Sequence, residues 1–539
     1  MRVQPITIYG QVSKDGHKSQ FPSRSGKIIW KRFMNRRDLV KSAFLAAVSA
    51  SAAPPQINLE ELSIGDIQKG FQSGQFTAQS LTEAYLARIS AIDRHGPAIN
   101  AVIELNPDAL KISAELDRER QTRGPRGPLH GVPVLVKDNI DTGNMSTTAG
   151  SLALLGAPAP KDAFIVARLR AAGAVLLGKT NLSEWANFRG DHSTSGWSGR
   201  GGQTKNPYAL NRNPSGSSSG SGAATAASLC AVAVGTETDG SIVSPSSING
   251  LVGIKPTVGL VGRSGIIPIS ASQDTAGPMA RTVRDAALLL NVLAAIAPKT
   301  HPDYTQSLDP TGMRGARLGI VRRSFGFNAA VDKLMEQSIA AMKSAGAEII
   351  DPVEIPPDGK ISEPENEVLL YEFKAGLNAY LKARGRTETL ASLIAFNEKN
   401  RTRELDHFGQ ELFLKAEKKG PLTDAVYRKA RAECIRLTRT EGIDAACSKN
   451  RLQALIAPTS CVAWLTDYIN GDSGNGGCST PAAVAGYPHA TVPAGLVHGL
   501  PAGISFFGPA WSEAALIKVA YAFEQATKAR RKPTFAPNV

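Results

Sequence analysis

Three serines, one lysine and a high density of glycine mark where this chain concentrates its chemistry. Lys137 closes the apolar part of Gly131-Val132-Pro133-Val134-Leu135-Val136-Lys137-Asp138-Asn139. An amine at the end of an apolar strand is partly desolvated, which lowers its pKa and makes it a usable base near neutrality. Downstream, Asn213–Gly222 reads N-P-S-G-S-S-S-G-S-G. It is followed by Gly235-Thr236-Glu237-Thr238-Asp239-Gly240-Ser241-Ile242 and by Gly253-Ile254-Lys255-Pro256-Thr257. Small residues let backbone segments approach closely and present N–H groups to an anion.

Generic motifs compete for the same stretch. Gly173–Thr180 matches the phosphate-loop pattern G-x-x-x-x-G-K-[ST]. A phosphate cradle needs a loop between strand and helix, whereas Ala174–Leu177 reads as the strand itself. Gly216-Ser217-Ser218-Ser219-Gly220 matches G-x-S-x-G, and His489 or His498 would then complete a Ser–His–Asp set on Ser218. That reading lacks the strand a nucleophile elbow requires, because Asn211-Arg212-Asn213-Pro214 is loop-like. A flexible linker is the plainest reading of the Ser/Gly stretch, and its apolar flanks speak against it.

The elements that must position these residues alternate along the chain. Leu59–Leu62 opens a helical run, and Ser80–Asp93 carries apolar residues at helical spacing. Val132–Val136 is a short buried strand. Ala163–Ala172 is a helix ended by Gly173, Ala174–Leu177 the next strand, Gly222–Ala231 a small-residue helix and Val232–Val234 a strand. Further strands fall near Leu318–Val321, Leu455–Ala457 and Gly503–Phe507. Residues 330–450 are more charged and mostly helical in pattern. This alternation predicts one large α/β domain with helices on both faces of a central sheet.

The chain has 539 residues, of which 42% are hydrophobic and 20% charged, which excludes a mainly disordered protein. No apolar run reaches the ~20 residues needed to span a bilayer, so no stable membrane insertion is expected. The net charge of +14 is unevenly placed: residues 1–52 carry ten Lys/Arg against two Asp/Glu, leaving 51 against 45 in the rest. That mild excess gives no reason to expect a nucleic-acid partner. Asn35-Arg36-Arg37-Asp38-Leu39-Val40-Lys41, the apolar Ser42–Val48 and the exit Ser49-Ala50-Ser51-Ala52-Ala53-Pro54 read as a signal peptide. The paired arginines resemble a twin-arginine signal, which exports folded proteins. An amphipathic N-terminal helix is the alternative, and Met34 is a second candidate start. Residues 1–52 are therefore set apart from a domain at 53–539. The five cysteines form no C-x-x-C, with Cys461 and Cys478 the one candidate pair. The eight histidines show no zinc-ligand spacing, so no metal is expected.

Taken together, Gly131–Asn139, Gly216–Gly222, Gly235–Ile242 and Gly253–Thr257 resemble the amidase signature family, in the family's order. Thr147–Ser151, Leu177–Asn181, Ala485–Pro488, Val492–Gly495 and Leu500–Gly503 extend the resemblance over roughly residues 57–530. It implies a mixed central sheet, no cofactor, and a Ser–cis-Ser–Lys triad. By position, Ser241 is the nucleophile, Ser217 the bridging serine and Lys137 the base. Ser218 becomes a supporting hydroxyl, and the backbone N–H groups of Thr238, Asp239, Gly240 and Ser241 become the oxyanion hole. The chemistry suits the residue types. A hydroxyl needs a base to become a nucleophile, and a second hydroxyl can donate and accept in one relay.

The sequence departs from the common Gly-Gly-Ser-Ile-Arg of the family. It has Asp239 for the first Gly and Val243 for the Arg. Both departures, with Gln273-Asp274-Thr275-Ala276-Gly277-Pro278-Met279, resemble the bacterial peptide amidase branch. The resemblance implies release of ammonia from C-terminally amidated peptides. Alternatives are fatty or aryl amides, glutamine as used by tRNA-dependent amidotransferases, and a non-catalytic binding member of the family. Asp239 either repels free carboxylates or stabilises a turn.

Overall fold

The computed structural model describes residues 57–294 and 302–539. The leader and its paired arginines lie outside the described residues. Among the described residues thirteen strands are present: β1 Val102–Leu105, β2 Pro133–Lys137, β3 Val175–Thr180, β4 Trp197–Ser198, β5 Gly202–Gln203, β6 Val232–Glu237, β7 Val252–Lys255, β8 Thr275–Ala280, β9 Arg317–Ile320, β10 Glu348–Ile350, β11 Ala454–Pro458, β12 His489–Val497 and β13 Leu500–Phe507. Eleven of them form one sheet in the order β1-β3-β2-β6-β8-β7-β12-β13-β11-β9-β10, and β4-β5 is a separate ribbon. The sheet is mixed. β3, β2 and β6 run parallel, as do β11, β9 and β10. The strands between these two groups pair antiparallel. Helices pack on both faces.

Every residue of β2, β3 and β6 is buried. A parallel strand covered on both faces is mostly apolar, which is why the first residues of these strands read as apolar runs, with the polar residues at their C-terminal ends. The helix Ser219–Ala226 is likewise buried at all eight positions. A Cβ at Gly220 would lie 2.3 Å from the Ala101 carbonyl and 2.5 Å from the Asn181 carbonyl. The Ser/Gly stretch is therefore a close-packed helix entry, not a linker. It stops at Ala226, and 227–231 turn instead of continuing the helix, because Ser228 takes a left-handed φ of 56°.

Two other expectations shift, and the reading of 174–177 as strand holds. Leu59–Leu62 is a turn, and the first helix is Ile64–Ser73, opened by a Ser63–Asp66 capping box. The next helix begins at Ala78 behind a Thr77 cap and widens to a π-helical turn from Ile89. The phosphate-loop match is the strand β3 itself. A Cβ at Gly178 would meet the Glu104 carbonyl at 2.2 Å, so that glycine admits β1. Lys179 is a buried structural lysine donating to the Ile140 carbonyl at 2.5 Å and Thr147 Oγ1 at 3.0 Å.

The region 358–450 is helical, and its longest helix is Asp358–Ala383. Arg189, fully buried, ties this region to the sheet domain. Its guanidinium donates to Glu184 Oε1 at 2.5 Å, to the carbonyls of Phe408 at 3.1 Å and Gly409 at 3.2 Å, and to the Glu404 carbonyl. It also lies 4.1 Å from the Phe408 ring centroid. Removing one partner of a buried charge set costs about 3–5 kcal/mol. Arg189→Ala would strand Glu184 and Glu404 together, so it should lower the urea midpoint by the equivalent of that amount. An unchanged midpoint would mean that the anchor contributes nothing.

Candidate active site

Lys137 ends β2 with its side chain fully buried. Its Nζ lies 2.7 Å from Ser217 Oγ, 3.2 Å from the Thr236 carbonyl and 3.0 Å from Thr236 Oγ1. Asn139 Nδ2 donates to the same Thr236 hydroxyl at 2.9 Å. Burial pulls the Lys137 pKa down to about 7, opposed by the Glu237 and Asp274 carboxylates. A neutral amine has two N–H donors and one lone pair. Thr236 offers two acceptors, its carbonyl and its hydroxyl, so the lone pair is left for the Ser217 hydroxyl.

Ser217 follows a cis peptide bond from Gly216, the form the family resemblance implies. Its carbonyl accepts the Ser183 N–H at 3.1 Å. A Cβ at Gly216 would sit 2.2 Å from Ser183 Oγ, so glycine is what lets this segment lie against Ser183. Ser218 ties the two serine segments together, its N–H donating to the Ser241 carbonyl at 3.2 Å. Its Oγ donates to the Thr236 carbonyl at 3.0 Å and accepts the Thr236 N–H at 3.2 Å. The Ser218 hydroxyl thus serves the Thr236 backbone. Neither candidate histidine completes a set with it. His489 is buried against Ser505 at 2.5 Å, and His498 sits in the β12–β13 turn.

Ser241 is 8% exposed, whereas Lys137 and Ser217 are at 0%. It follows the turn Thr238-Asp239-Gly240, in which Gly240 has a φ of 75°. That left-handed geometry favours glycine. Glu237 Oε2 accepts the N–H groups of Ile242 at 2.7 Å and Val243 at 3.0 Å, capping the helix Val243–Ile248. The N–H groups of Asp239, Gly240 and Ser241 take no acceptor among the described residues. Donors arranged in this way suit a developing oxyanion.

A cavity of about 260 Å³ adjoins these groups. Ser217, Asn139, Thr236, Glu237 and Thr238 form its polar side, and Ile266, Ile267, Pro268 and Ile269 form an apolar wall. Asp274 joins the two sides. Its carboxylate accepts Thr238 Oγ1 at 2.6 Å and the N–H groups of Ile269 at 2.8 Å and Ser270 at 2.9 Å. Ala186, in a left-handed run from Trp185 to Asn187, also lines the cavity. The structure thus brings Lys137, Ser217, Ser218 and Ser241 together with the Thr238–Ser241 turn. Sequence reasoning gave no role to Thr236, Asn139, Asp274 or the Ile266–Ile269 wall. Thr236 and Asn139 stood inside quoted motifs, but nothing local distinguished them from their neighbours. Cys461 and Cys478, the candidate pair, are both free thiols.

Residues 80–517 match the family described as Amidase, and the chain belongs to that family. It is similar to the peptide amidase of Stenotrophomonas maltophilia, whose native structure is 52% identical with a TM-score of 0.85, over 90% of this chain and 100% of that one. A structure of peptide amidase PAM with the competitive inhibitor chymostatin is 53% identical with a TM-score of 0.86, over 88% and 99%. A probable amidase of Arabidopsis thaliana is 42% identical over 501 residues, 89% of this chain and 92% of its own. Family and neighbours together identify an amide-hydrolysing enzyme.

The buried amine carries a linkage signature. With its folded pKa near 7 and an unfolded value near 10.4, Lys137 is protonated in the unfolded chain and largely neutral in the folded one between those values. Its burial penalty therefore shrinks as pH rises from 7 toward 10. Lys137→Met should abolish turnover. In urea titrations it should also remove about 2 kcal/mol of the stability gained between about pH 7 and pH 9. An identical gain in both proteins would show that Lys137 is charged in the folded state.

Proposed function

We propose that the protein hydrolyses the C-terminal carboxamide of peptides, releasing ammonia through an acyl-enzyme on Ser241. The observation that carries the relay is the 2.7 Å contact between Ser217 Oγ and a lysine whose pKa burial lowers to about 7. Ser241 Oγ attacks the carboxamide carbon. Its proton passes to Ser217 Oγ as the Ser217 proton passes to Lys137 Nζ. The oxyanion is received by the N–H groups of the Thr238–Ser241 turn. The C–N bond breaks as Ser217 protonates the leaving nitrogen and takes its proton back from Lys137, and ammonia departs. Water then attacks the acyl-enzyme by the same relay, giving the carboxylic acid and free Ser241. Ser218 supports this relay through its hold on Thr236 and on the Ser241 carbonyl.

Peptide amides are favoured by the likeness to structures of peptide amidases at 52–53% identity and by an apolar wall suited to a side chain. The 33% identity to a glutamyl-tRNA(Gln) amidotransferase chain of Symbiobacterium thermophilum supports the family chemistry, and glutamine is the competing substrate. The leader supports delivery of the folded enzyme to the periplasm.

Ammonia release from residue 53 onward should occur with an amidated dipeptide and not with its free acid, a long-chain fatty amide or glutamine. Ser241→Ala should reduce kcat by at least about 10⁴-fold, and Ser217→Ala by about 10²–10⁴-fold, the range of relay losses. The kcat/KM should rise with pH through about 7 as Lys137 loses its proton. Preference for glutamine or the fatty amide would overturn the substrate, and an active Ser241→Ala enzyme would overturn the nucleophile. For the leader, replacing Arg36 and Arg37 together by Lys should hold the full chain in the cytoplasm on fractionation. An unchanged periplasmic pool would refute the export reading.

A further inference from the structure

The Thr238–Ser241 turn is held from behind by side chains that do not line the catalytic cavity. Gln273, 1% exposed, donates one Nε2 hydrogen to the Thr238 carbonyl at 3.3 Å and the other to Glu365 Oε1 at 2.8 Å. In a planar trans peptide the C=O and the following N–H point in opposite directions. A donor that fixes the Thr238 carbonyl therefore fixes the direction of the Asp239 N–H, one of the turn's free donors.

Asp239 is held in turn by Thr480 Oγ1, which donates to Oδ2 at 2.7 Å. The Ser479 hydroxyl also acts on this carboxylate, whose Oδ1 is buried. The Glu365 carboxyl, from the helix Asp358–Ala383, also meets Asp239. Two carboxyls make such a contact with one proton between them, since two adjacent buried carboxylates repel strongly. Burial raises both groups. Burial and the Asp239 carboxylate raise Glu365 well above the usual carboxylate range, so the pair holds one proton between its members. The other groups facing the pair are Asp358 on the same helix, Lys255 from β7, Glu237 from β6, Cys478 and Ser479 beside Thr480, and Cys434 beside Glu365. Arg323 stands near Asp358.

We propose that Gln273 and the Asp239–Glu365 pair are positioning residues of the oxyanion turn: Gln273 aims the Asp239 N–H, and one shared proton limits the pair to a single negative charge. A second negative charge behind the turn would oppose the oxyanion forming on its other side. The shared proton thus sets an alkaline limit on turnover, separate from the acid limit set by Lys137. It also assigns a use to an aspartate where most of the family has glycine. The proposal rests on Ser241 being the nucleophile of amide hydrolysis.

The test measures kcat and KM for an amidated dipeptide between about pH 6 and pH 10 in wild type, Glu365→Gln, Asp239→Asn, Gln273→Met and Ser241→Ala. Binding of the matching peptide aldehyde, a tetrahedral-adduct former, is measured alongside. Glu365→Gln and Asp239→Asn should keep the rise near pH 7 and lose the alkaline fall of kcat. Gln273→Met should lower kcat by about 10–100-fold, the cost of a misdirected oxyanion donor. Its KM should stay within about threefold, and its aldehyde affinity should fall in the same proportion as kcat. The proposal is overturned if both carboxyl variants keep the wild-type alkaline fall, or if Gln273→Met raises KM and leaves kcat and aldehyde affinity intact. An active Ser241→Ala enzyme would bring down the nucleophile reading and this proposal together. An inert one, with an unmoved alkaline limb in the carboxyl variants, would bring down only this proposal.

Discussion

The site depends on burying one amine, Lys137, deeply enough to lower its pKa to about 7. Burying an ammonium without a partner is costly, and β2 delivers Lys137 to a place where no carboxylate makes a direct salt bridge with it among the described residues. The lowest-energy answer is to shed the proton and satisfy the remaining two N–H groups, which the Thr236 carbonyl and hydroxyl do. This fixes the lone pair toward Ser217 and gives the relay its direction. The packing around it follows from the same need. Ser218 grips both backbone groups of Thr236, a Cβ at Gly235 would lie only 2.8 Å from Ser218 Oγ, and Gly216 lies against Ser183. Small residues crowd this region because the amine is desolvated by close, dry contact.

The opposite pole of the reaction is built by different means. The Thr238–Ser241 turn owes its shape to Gly240 and to Glu237, which removes the next two N–H groups from competition. Its side chains and carbonyl are then tied to the strand and loop around β8 by Asp274 and Gln273. The base is thus positioned by the parallel strands β2 and β6, while the oxyanion turn is positioned by a polar web reaching into the long helix Asp358–Ala383.

This division explains what the sequence could reveal. β2, β3 and β6 are buried on both faces, so their apolar runs announce them. β8 contains Gly277 and Pro278, and a Cβ at Gly277 would lie 2.0 Å from the Ile254 carbonyl. Its composition reads as loop because neighbouring chains pass too close for side chains. β12 carries Pro493 at a register shift, and β1 and β10 are too short to show a period. In the site, Lys137, Ser217 and Ser241 are legible because their motifs are local and glycine-rich. Gln273 and Glu365 are 92 positions apart, and no local pattern connects them. Long-range polar pairs leave no periodic trace, so this half of the site emerged only from the fold.

The same division shows how substrate choice can vary without loss of chemistry. The apolar wall Ile266–Ile269 is pinned by Asp274 on one side. The Ser270 and Ser272 segment that follows it is held by Glu372 Oε2 from the long helix, at 2.6 Å and 2.9 Å. Glu372 Oε1 accepts the Tyr427 hydroxyl at 2.7 Å, so the wall is registered against a helix pair remote from Lys137. A change in that pairing would move the wall relative to the turn and leave Thr236, Lys137 and Ser217 untouched. The helical region between residues 358 and 450 is therefore more than a cover for the sheet. It carries Glu372, which holds the segment after the wall, and Glu365, which Gln273 links to the Thr238 carbonyl. The wall and the turn share Asp274, and its carboxylate, with that of Glu237, also acts on the buried Lys137 amine, so the three parts of the site are electrostatically coupled.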